Sequence, residues 1–192
     1  MNKPLYLFVG KSASGKTTIA ELLESKYNYK TLQSYTTRPK RHENETGHTF
    51  ISEEEFNNLE NIIAYTEYNG YKYCATKEQI DDVSIYVIDV PGVETLLQKY
   101  KTERPIAVIY FDAGIVTRID RMIERGSSDM EIVSRLHNDE SSDWMRELKK
   151  ICGEPYVTQV KTVYTIDANQ NVSNVLKQFN WIMEAVTYDN LY

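Results

Sequence analysis

The sequence predicts an α/β fold in which helices flank a mostly parallel sheet. Short, continuous apolar runs alternate along the chain with segments of helical periodicity, as expected of strands that are buried on both faces. A loop containing glycine and serine joins the first apolar run to the first helical segment. A polar, tyrosine-rich segment then interrupts the alternation, which predicts a small lobe inserted into the α/β core.

Each element of the core follows from one apolar run or one helical pattern. The first run, at residues 5–9, is apolar at every position. The next segment has Ile19, Leu22, Leu23 and Tyr27 on one helical face. The predicted strands are 5–9, 84–90, 106–111 and 160–166, with a further strand expected just before Ser34. The predicted helices are 17–27, 93–100, 115–125, 130–150 and 172–186.

Residues 35–80 form the predicted lobe. They contain a short helix candidate at 53–59 and two strand candidates at 62–67 and 71–75. The Asn69-Gly70 dipeptide between these strands is a strong hairpin signal. Without repeats or linkers, the 192 residues are predicted to form one domain, with the core at 1–34 and 81–192.

The charge of the chain is uneven. The sequence has a formal net charge of −6, which argues against nonspecific nucleic-acid binding because counterion release needs a surplus of basic residues. Residues 1–50 nevertheless contain 8 Lys and Arg against 4 Asp and Glu, whereas residues 51–192 contain 14 against 24. The basic excess therefore lies in the first quarter of the chain.

Several classes of protein are not expected. Cys74 and Cys152 form no CxxC pair, which favours a reduced, cytoplasmic setting without disulfides. The apolar run at 5–9 is too short for a signal-peptide core. No stretch approaches the ~20 apolar residues of a membrane-spanning helix.

Residues 10–17 match the pattern G-x-x-x-x-G-K-[ST] of a phosphate-binding P-loop, which predicts a P-loop NTPase core. The glycines allow backbone N–H groups to turn inward around phosphate oxygens, and the following helix points its positive end at the same place. Lys16 is expected to reach the β- and γ-phosphates of ATP, and Thr17 to ligate Mg²⁺. The predicted ATP-binding residues are Gly10, Lys11, Ser12, Ala13, Ser14, Gly15, Lys16, Thr17 and Thr18.

A P-loop also needs a carboxylate near the metal, usually at the end of a neighbouring buried strand. Asp89 fits, since it follows the apolar run 85–88. It could act on water of the metal shell, on the acceptor, or on both. An Asp before Pro91-Gly92 can also be a simple turn former.

The segment 34–41 supplies hydroxyls and two arginines, whose planar forks bind phosphate bidentately. With the P-loop at this spacing, the chain resembles the guanylate kinase family, whose members transfer the γ-phosphoryl group of ATP to GMP. The matching residues are Ser34, the run Thr36-Thr37-Arg38, and Arg41. The resemblance implies that Ser34 helps to read the base and that both arginines grip the acceptor phosphate.

The resemblance extends over most of the chain. It implies that Tyr73 contacts the acceptor phosphate and that Asp89 faces the base and the reaction centre. It also implies a helical lid at about 121–135, in which Arg121, Arg125 and Arg135 close over the transferring phosphoryl group. The cofactor implied is Mg²⁺ with ATP.

The departures from the family concern the base. The acid that normally recognises guanine falls at Ala64, and the nearest acid is Glu67. The segment Gly47–Phe50 is also shorter than the family's by about two residues. Either the hairpin register shifts so that Glu67 substitutes, or guanine is not the base. Two alternatives therefore stay open: a kinase for another nucleoside monophosphate or small phosphate ester, and an inactive binding module. The oligomeric state is not predicted.

Overall fold

A computed structural model describes residues 3–40, 43–155, 157–158, 160 and 162–189. Their helices and strands, in chain order, are β1 (Leu5–Val9), α1 (Lys16–Tyr27), β2 (Ser34–Thr36), β3 (His48–Phe50), α2 (Glu53–Asn57), β4 (Ile62–Tyr68), β5 (Tyr71–Thr76), α3 (Lys77–Asp81), β6 (Ile85–Val87), α4 (Val90–Lys99), β7 (Ile106–Asp112), α5 (Ile115–Glu124), α6 (Asp129–Asp139), α7 (Trp144–Cys152), β8 (Val163–Asp167) and α8 (Val172–Asp189). No helix in these ranges is long and apolar enough to cross a membrane.

The core sheet is parallel and has the strand order β6-β1-β7-β8. The further strand expected before Ser34 is reduced to one bridge, between Thr31 and Ile85. Its neighbours Lys30 and Gln33 are polar and exposed, so only a residue or two can be buried at this edge. The mixed α/β class with a parallel sheet is confirmed.

Helices cover both faces of the core sheet, which explains why β1 is apolar throughout. Leu5, Leu7 and Val9 belong to one buried cluster, which includes Leu96 of α4 and Leu148 of α7. Tyr6 and Phe8 belong to the opposite cluster, with Leu23 of α1 and Phe179 of α8. Successive strand residues point to opposite faces, so every position of β1 is buried.

A second sheet, of order β3-β2-β5-β4, lies in the polar segment. The predicted hairpin is confirmed: Asn69 and Gly70 have φ values of 52° and 76°, as the turn between β4 and β5 requires. Ile63, Ala64 and Ala75 of this sheet share the buried cluster of α4. The second sheet is therefore fixed to the core through α4.

Some further predicted elements differ from the structure. The strand predicted at 84–90 ends at Val87 because α4 already begins at Val90, with Asp89 as its N-cap. The helix predicted at 130–150 is two helices, since Asp143 accepts a hydrogen bond from the Arg146 N–H and starts a new one. The strand predicted at 160–166 begins at Val163.

Arg104 joins three segments at the amino end of the core sheet. It is buried, and its guanidinium donates to the carbonyl oxygens of Lys3, Pro4, Ile80 and Val83. We expect Arg104→Ala to lower the free energy of unfolding by about 3 kcal/mol, because buried carbonyls lose their donors. Denaturant unfolding measures this loss; Lys99→Ala, at an exposed position of α4, should change the free energy of unfolding by less than ~0.5 kcal/mol.

Candidate functional site

The loop between β1 and α1 has the backbone conformation of an anion-binding site. Gly10, Ala13 and Gly15 all have positive φ, at 154°, 59° and 95°. A Cβ on Gly10 would lie 2.6 Å from the Phe111 carbonyl oxygen, so only glycine fits there. Gly15 is the N-cap of α1 and offers no side chain to its first N–H groups. These donors are therefore available to an anion.

Lys16 folds back over this loop. Its ammonium group donates to the carbonyl oxygens of Gly10 and Lys11 and to the Ser14 hydroxyl. Burial lowers the pKa of Lys16 to about 8; the Asp139 carboxylate opposes this shift, whereas Arg125 adds to it. A phosphate bound in the loop would place negative charge beside Lys16 and so favour its charged form.

We expect triphosphate binding to take up a proton at Lys16. At pH 8.5 a pKa of about 8 leaves only about a quarter of the ammonium charged in the free protein. A bound polyanion restores the charge, so binding of Mg²⁺-loaded ATP should take up about three quarters of a proton at Lys16 at pH 8.5 and almost none at pH 6.5. Calorimetric titration in two buffers of different ionisation enthalpy measures this uptake. In Lys16→Arg, which stays charged at both values of pH, the uptake should vanish.

A cavity of about 300 Å³, which we call the main cavity, lies between the phosphate loop, the second sheet and the lid helices. It brings together residues that are far apart in sequence. Of the predicted site residues, its lining includes Gly10, Ser12, Ala13, Lys16, Thr17, Ser34, Tyr73, Asp89, Arg125 and Arg135. One cavity therefore joins some of the predicted ATP, acceptor and lid residues.

A second cavity, of about 370 Å³, lies on the other side of the same loop. Ser14, Gly15 and Thr18 line it beside Arg121 of α5. Arg125 lines both cavities. The phosphate loop thus lies between two cavities.

Thr17 and Asp89 provide oxygens suited to Mg²⁺. Both line the main cavity. Burial raises the pKa of Asp89, while hydrogen bonds from the Gly92 N–H and the Thr66 hydroxyl oppose the rise. Mg²⁺ usually takes only one or two protein ligands beside substrate phosphates and water, so this donor set fits the ion. Asp89 also caps α4, so its role at this turn and the predicted site role do not exclude each other.

The acceptor side is built from β2, β3 and β5. Ser34 is buried, and its Oγ lies 2.9 Å from Nδ1 of His48. The His48 ring contacts the Tyr73 ring edge-on at 5.5 Å between centroids. All three residues line the main cavity. No site role was predicted for His48, and its place opposite Ser34 follows from the β2–β3 pairing.

Arg38 does not line the main cavity; it contacts Tyr73 from the side of that residue away from the lining. Its guanidinium donates to both carboxylate oxygens of Glu45, at 3.1 and 2.7 Å, and to the Tyr73 hydroxyl at 3.2 Å. This geometry makes Arg38 a support for Tyr73 in the present arrangement. Arg41, the other predicted phosphate-gripping arginine, falls outside the described residues.

Neither the position matched to the base-reading acid nor the nearest acid lines the cavity. Ala64 is fully buried in the core. Glu67 is exposed, and its carboxylate accepts a hydrogen bond from the Tyr65 hydroxyl. The lining on this side consists of Tyr65, Thr66 and Tyr68. The structure therefore does not bring Glu67 to the acceptor base.

The three predicted lid arginines lie in different places. Arg125 and Arg135 line the main cavity. Arg121 instead donates to the carbonyl oxygens of Ala13, at 3.3 Å, and Ala168, at 2.7 Å. Arg121 thus braces the phosphate loop against the end of β8, beside the second cavity.

A buried ionic network at the base of the lid was not predicted. Arg118 and Asp139 form an ion pair at 3.0 Å, and each side chain is only 1% exposed. Asp139 also accepts hydrogen bonds from the Ser12 N–H, at 2.8 Å, and the Ser12 hydroxyl, at 3.2 Å. Glu140 links Arg118 to Lys11. Lys11 is thereby committed to Glu140.

This arrangement defines a class: a P-loop α/β protein whose phosphate loop faces an inserted lobe and a helical lid. The model of the family described as guanylate kinase matches residues 2–162, and the chain belongs to the guanylate kinase family. The fold is similar to the crystal structure of guanylate kinase from Anaplasma phagocytophilum, at 14% identity and a TM-score of 0.54, covering 96% of this chain and 87% of that one. A comparison with curated proteins gives no match.

Proposed function

We propose that the protein is an ATP-dependent nucleoside monophosphate kinase that transfers the γ-phosphoryl group of ATP to GMP or dGMP. Family membership supports this class of phosphotransferase. The observation that carries the proposal is the single cavity in which Lys16, Arg135 and Ser34 meet. Because one cavity is lined by residues proposed to bind the donor phosphates, the acceptor and the transferring group, the two substrates could meet there.

The second cavity is the proposed site of the donor nucleoside. It begins at Gly15 and Thr18 and lies away from the second sheet. A triphosphate wrapped by the loop would then direct its γ-phosphoryl group into the main cavity, toward an acceptor held by Ser34 and Tyr73. In-line positioning and charge neutralisation are the main demands of phosphoryl transfer.

Cationic side chains supply the neutralisation. Lys16 would contact the β- and γ-phosphates, while Arg125 and Arg135 would contact the transferring group. Bound Mg²⁺ would add charge neutralisation near Thr17 and Asp89. Closure of the lid and the lobe would exclude water and so suppress wasteful hydrolysis of ATP.

A second candidate is a kinase for a different nucleoside monophosphate or small phosphate ester. The placement of Ala64 in the core and of Glu67 at the surface favours it. A site that hydrogen-bonds one base can reject another by a factor of ~10⁴ or more. Loss of the expected acid could therefore change the acceptor.

A coupled assay of ADP release tests both candidates. ATP and Mg²⁺ are supplied with GMP, dGMP, AMP, dTMP, dCMP or UMP in turn. Turnover with GMP or dGMP supports the proposed function, and turnover only with another acceptor supports the second candidate. If no acceptor gives ADP while a protein partner binds tightly, the chain is an inactive binding module and both proposals fail.

Arg41 remains a proposed acceptor-phosphate ligand on its sequence match alone. We expect Arg41→Ala to raise the KM for the monophosphate about tenfold or more, because a charged hydrogen bond to phosphate is lost. The KM for ATP should stay within about twofold. Steady-state kinetics with each substrate varied in turn measures both constants, and a rise confined to ATP would refute the assignment.

A further inference from the structure

The ion pair of Asp139 and Arg118 has an unusual position. Asp139 ends α6 and Glu140 follows as its C-cap, where the helix dipole is negative and carboxylates are disfavoured. Arg118 sits in α5 and is only 1% exposed. A surface pairing of this kind would contribute little. Burial of both charges instead makes the contact specific, because removal of Asp139 would leave the buried guanidinium with only the half-exposed Glu140 as an acidic partner.

The same carboxylate reaches into the phosphate loop. It accepts the main-chain N–H and the hydroxyl of Ser12, and Asp139 lines the main cavity together with Lys16. If Asp139 moved away, the buried guanidinium of Arg118 would lose one of its two carboxylate partners, and Ser12 would lose its acceptor. These contacts hold Asp139 in the cavity wall.

The network also lies where cationic groups crowd together. Lys16, Arg125 and Arg135 all line the cavity, and Arg118 lies directly behind Asp139. In the absence of nucleotide, the negative charge of Asp139 offsets their mutual repulsion. Its carboxylate contacts both the loop, at Ser12, and α5, at Arg118.

We propose that Asp139 is a positioning residue for phosphoryl transfer, which ties Ser12 of the phosphate loop to Arg118 of α5 and so holds the loop and the lid arginines in one frame. This inference rests on the proposed function. The carboxylate of Asp139 is occupied by Ser12 and Arg118, so it acts through the loop and through the placement of Arg125 and Arg135.

The main test compares Asp139→Ala with Glu140→Gln. The first removes the link to Ser12, while the second weakens only the more exposed link between Lys11 and Arg118. We expect Asp139→Ala to lower kcat/KM for ATP about 100-fold, with the KM for the acceptor within threefold. Glu140→Gln should change kcat/KM for ATP less than about fivefold. Activity of Asp139→Ala within threefold of the unmodified protein overturns the proposal.

Binding of ATP, measured by calorimetric titration, gives a readout that is independent of turnover. A looser phosphate loop predicts weaker binding in Asp139→Ala, by about tenfold. Tighter binding would instead mean that the carboxylate competes with phosphate, which overturns the proposal. If the unmodified protein binds ATP but turns over no acceptor, the proposed kinase function fails. The binding comparison would then still test whether Asp139 positions the phosphate loop.

A double variant separates positioning from folding. Arg118→Met combined with Asp139→Leu removes both buried charges and keeps side-chain volume, so the protein should fold even if Asp139→Ala does not. We expect this variant to keep the unfolding midpoint yet lose at least 30-fold in kcat/KM for ATP. Recovery of more than half the activity would show that the pair serves stability alone, and would overturn the proposal.

A double-mutant cycle with Arg125 completes the test. If Asp139 acts through the placement of Arg125, the losses in kcat of Asp139→Asn and Arg125→Ala will not multiply. The combined variant should then be no more than about threefold slower than Arg125→Ala. Full multiplication of the two losses would mean that Asp139 does not act through this arginine.

Discussion

Replacing Lys16 by Ala is expected to abolish phosphoryl transfer, with kcat at least ~10³-fold lower. The ammonium group is the one proposed to contact both the β- and the γ-phosphate, where charge changes during the reaction. Folding should survive, because burial already disfavours the charged form of this side chain, as its lowered pKa indicates. Steady-state kinetics combined with thermal unfolding checks both statements.

Lys11 provides the matched control for Lys16. It lies in the same loop and carries the same charge, but its ammonium group pairs with Glu140 at 2.6 Å. Lys11→Ala should therefore lower kcat by less than about tenfold. Equal losses in the two variants would mean that the loop needs net positive charge and not one placed ammonium group, and the role assigned to Lys16 would be wrong.

The phosphate loop could be predicted from sequence because its determinants are local. The strand, the glycines and the start of α1 follow one another within residues 5–27, and the spacing alone fixes which N–H groups converge. The hairpin at Asn69-Gly70 is predictable for the same reason. In both cases the backbone conformation depends on residues only a few positions apart.

The polar network around the loop could not be predicted in this way. Ser12 and Asp139 are 127 positions apart, and Arg118 and Asp139 are 21 apart. Periodicity places Arg118 on one helical face with Arg121 and Arg125, but it cannot distinguish a buried face from one that lines a cavity. Only packing of α5 and α6 against the core decides that Arg118 is buried while Arg125 is exposed.

The acceptor lobe shows a different limit. Motif matching predicts that Arg38 binds phosphate, yet both terminal nitrogens of its guanidinium donate to the carboxylate of Glu45, seven residues later. The pairing of β4 with β5 also contains a register shift between Ile62 and Ala64, which the sequence did not predict. A one-residue change in register moves side chains to the other face of a strand, so base recognition depends on a detail that spacing does not carry.

The lid arginines are expected to separate into two functional groups. Arg125→Ala and Arg135→Ala should each lower kcat by ~10²- to 10³-fold, because both side chains line the cavity where charge develops. Arg121→Ala should instead raise the KM for ATP about tenfold, with kcat within a few-fold. Its guanidinium is committed to the Ala13 and Ala168 carbonyl oxygens.

Arg146→Ala is the control for this series, since Arg146 is exposed on α7 and has no proposed role. It should leave kcat and both KM values unchanged within twofold. Measurement of kcat at saturating ATP and acceptor separates the two groups, because weakened ATP binding is then overcome while a lost transition-state contact is not. A loss of kcat in Arg121→Ala as large as that in Arg125→Ala would place all three arginines on the transferring group, and would require the lid to move Arg121 away from Ala168 as it closes.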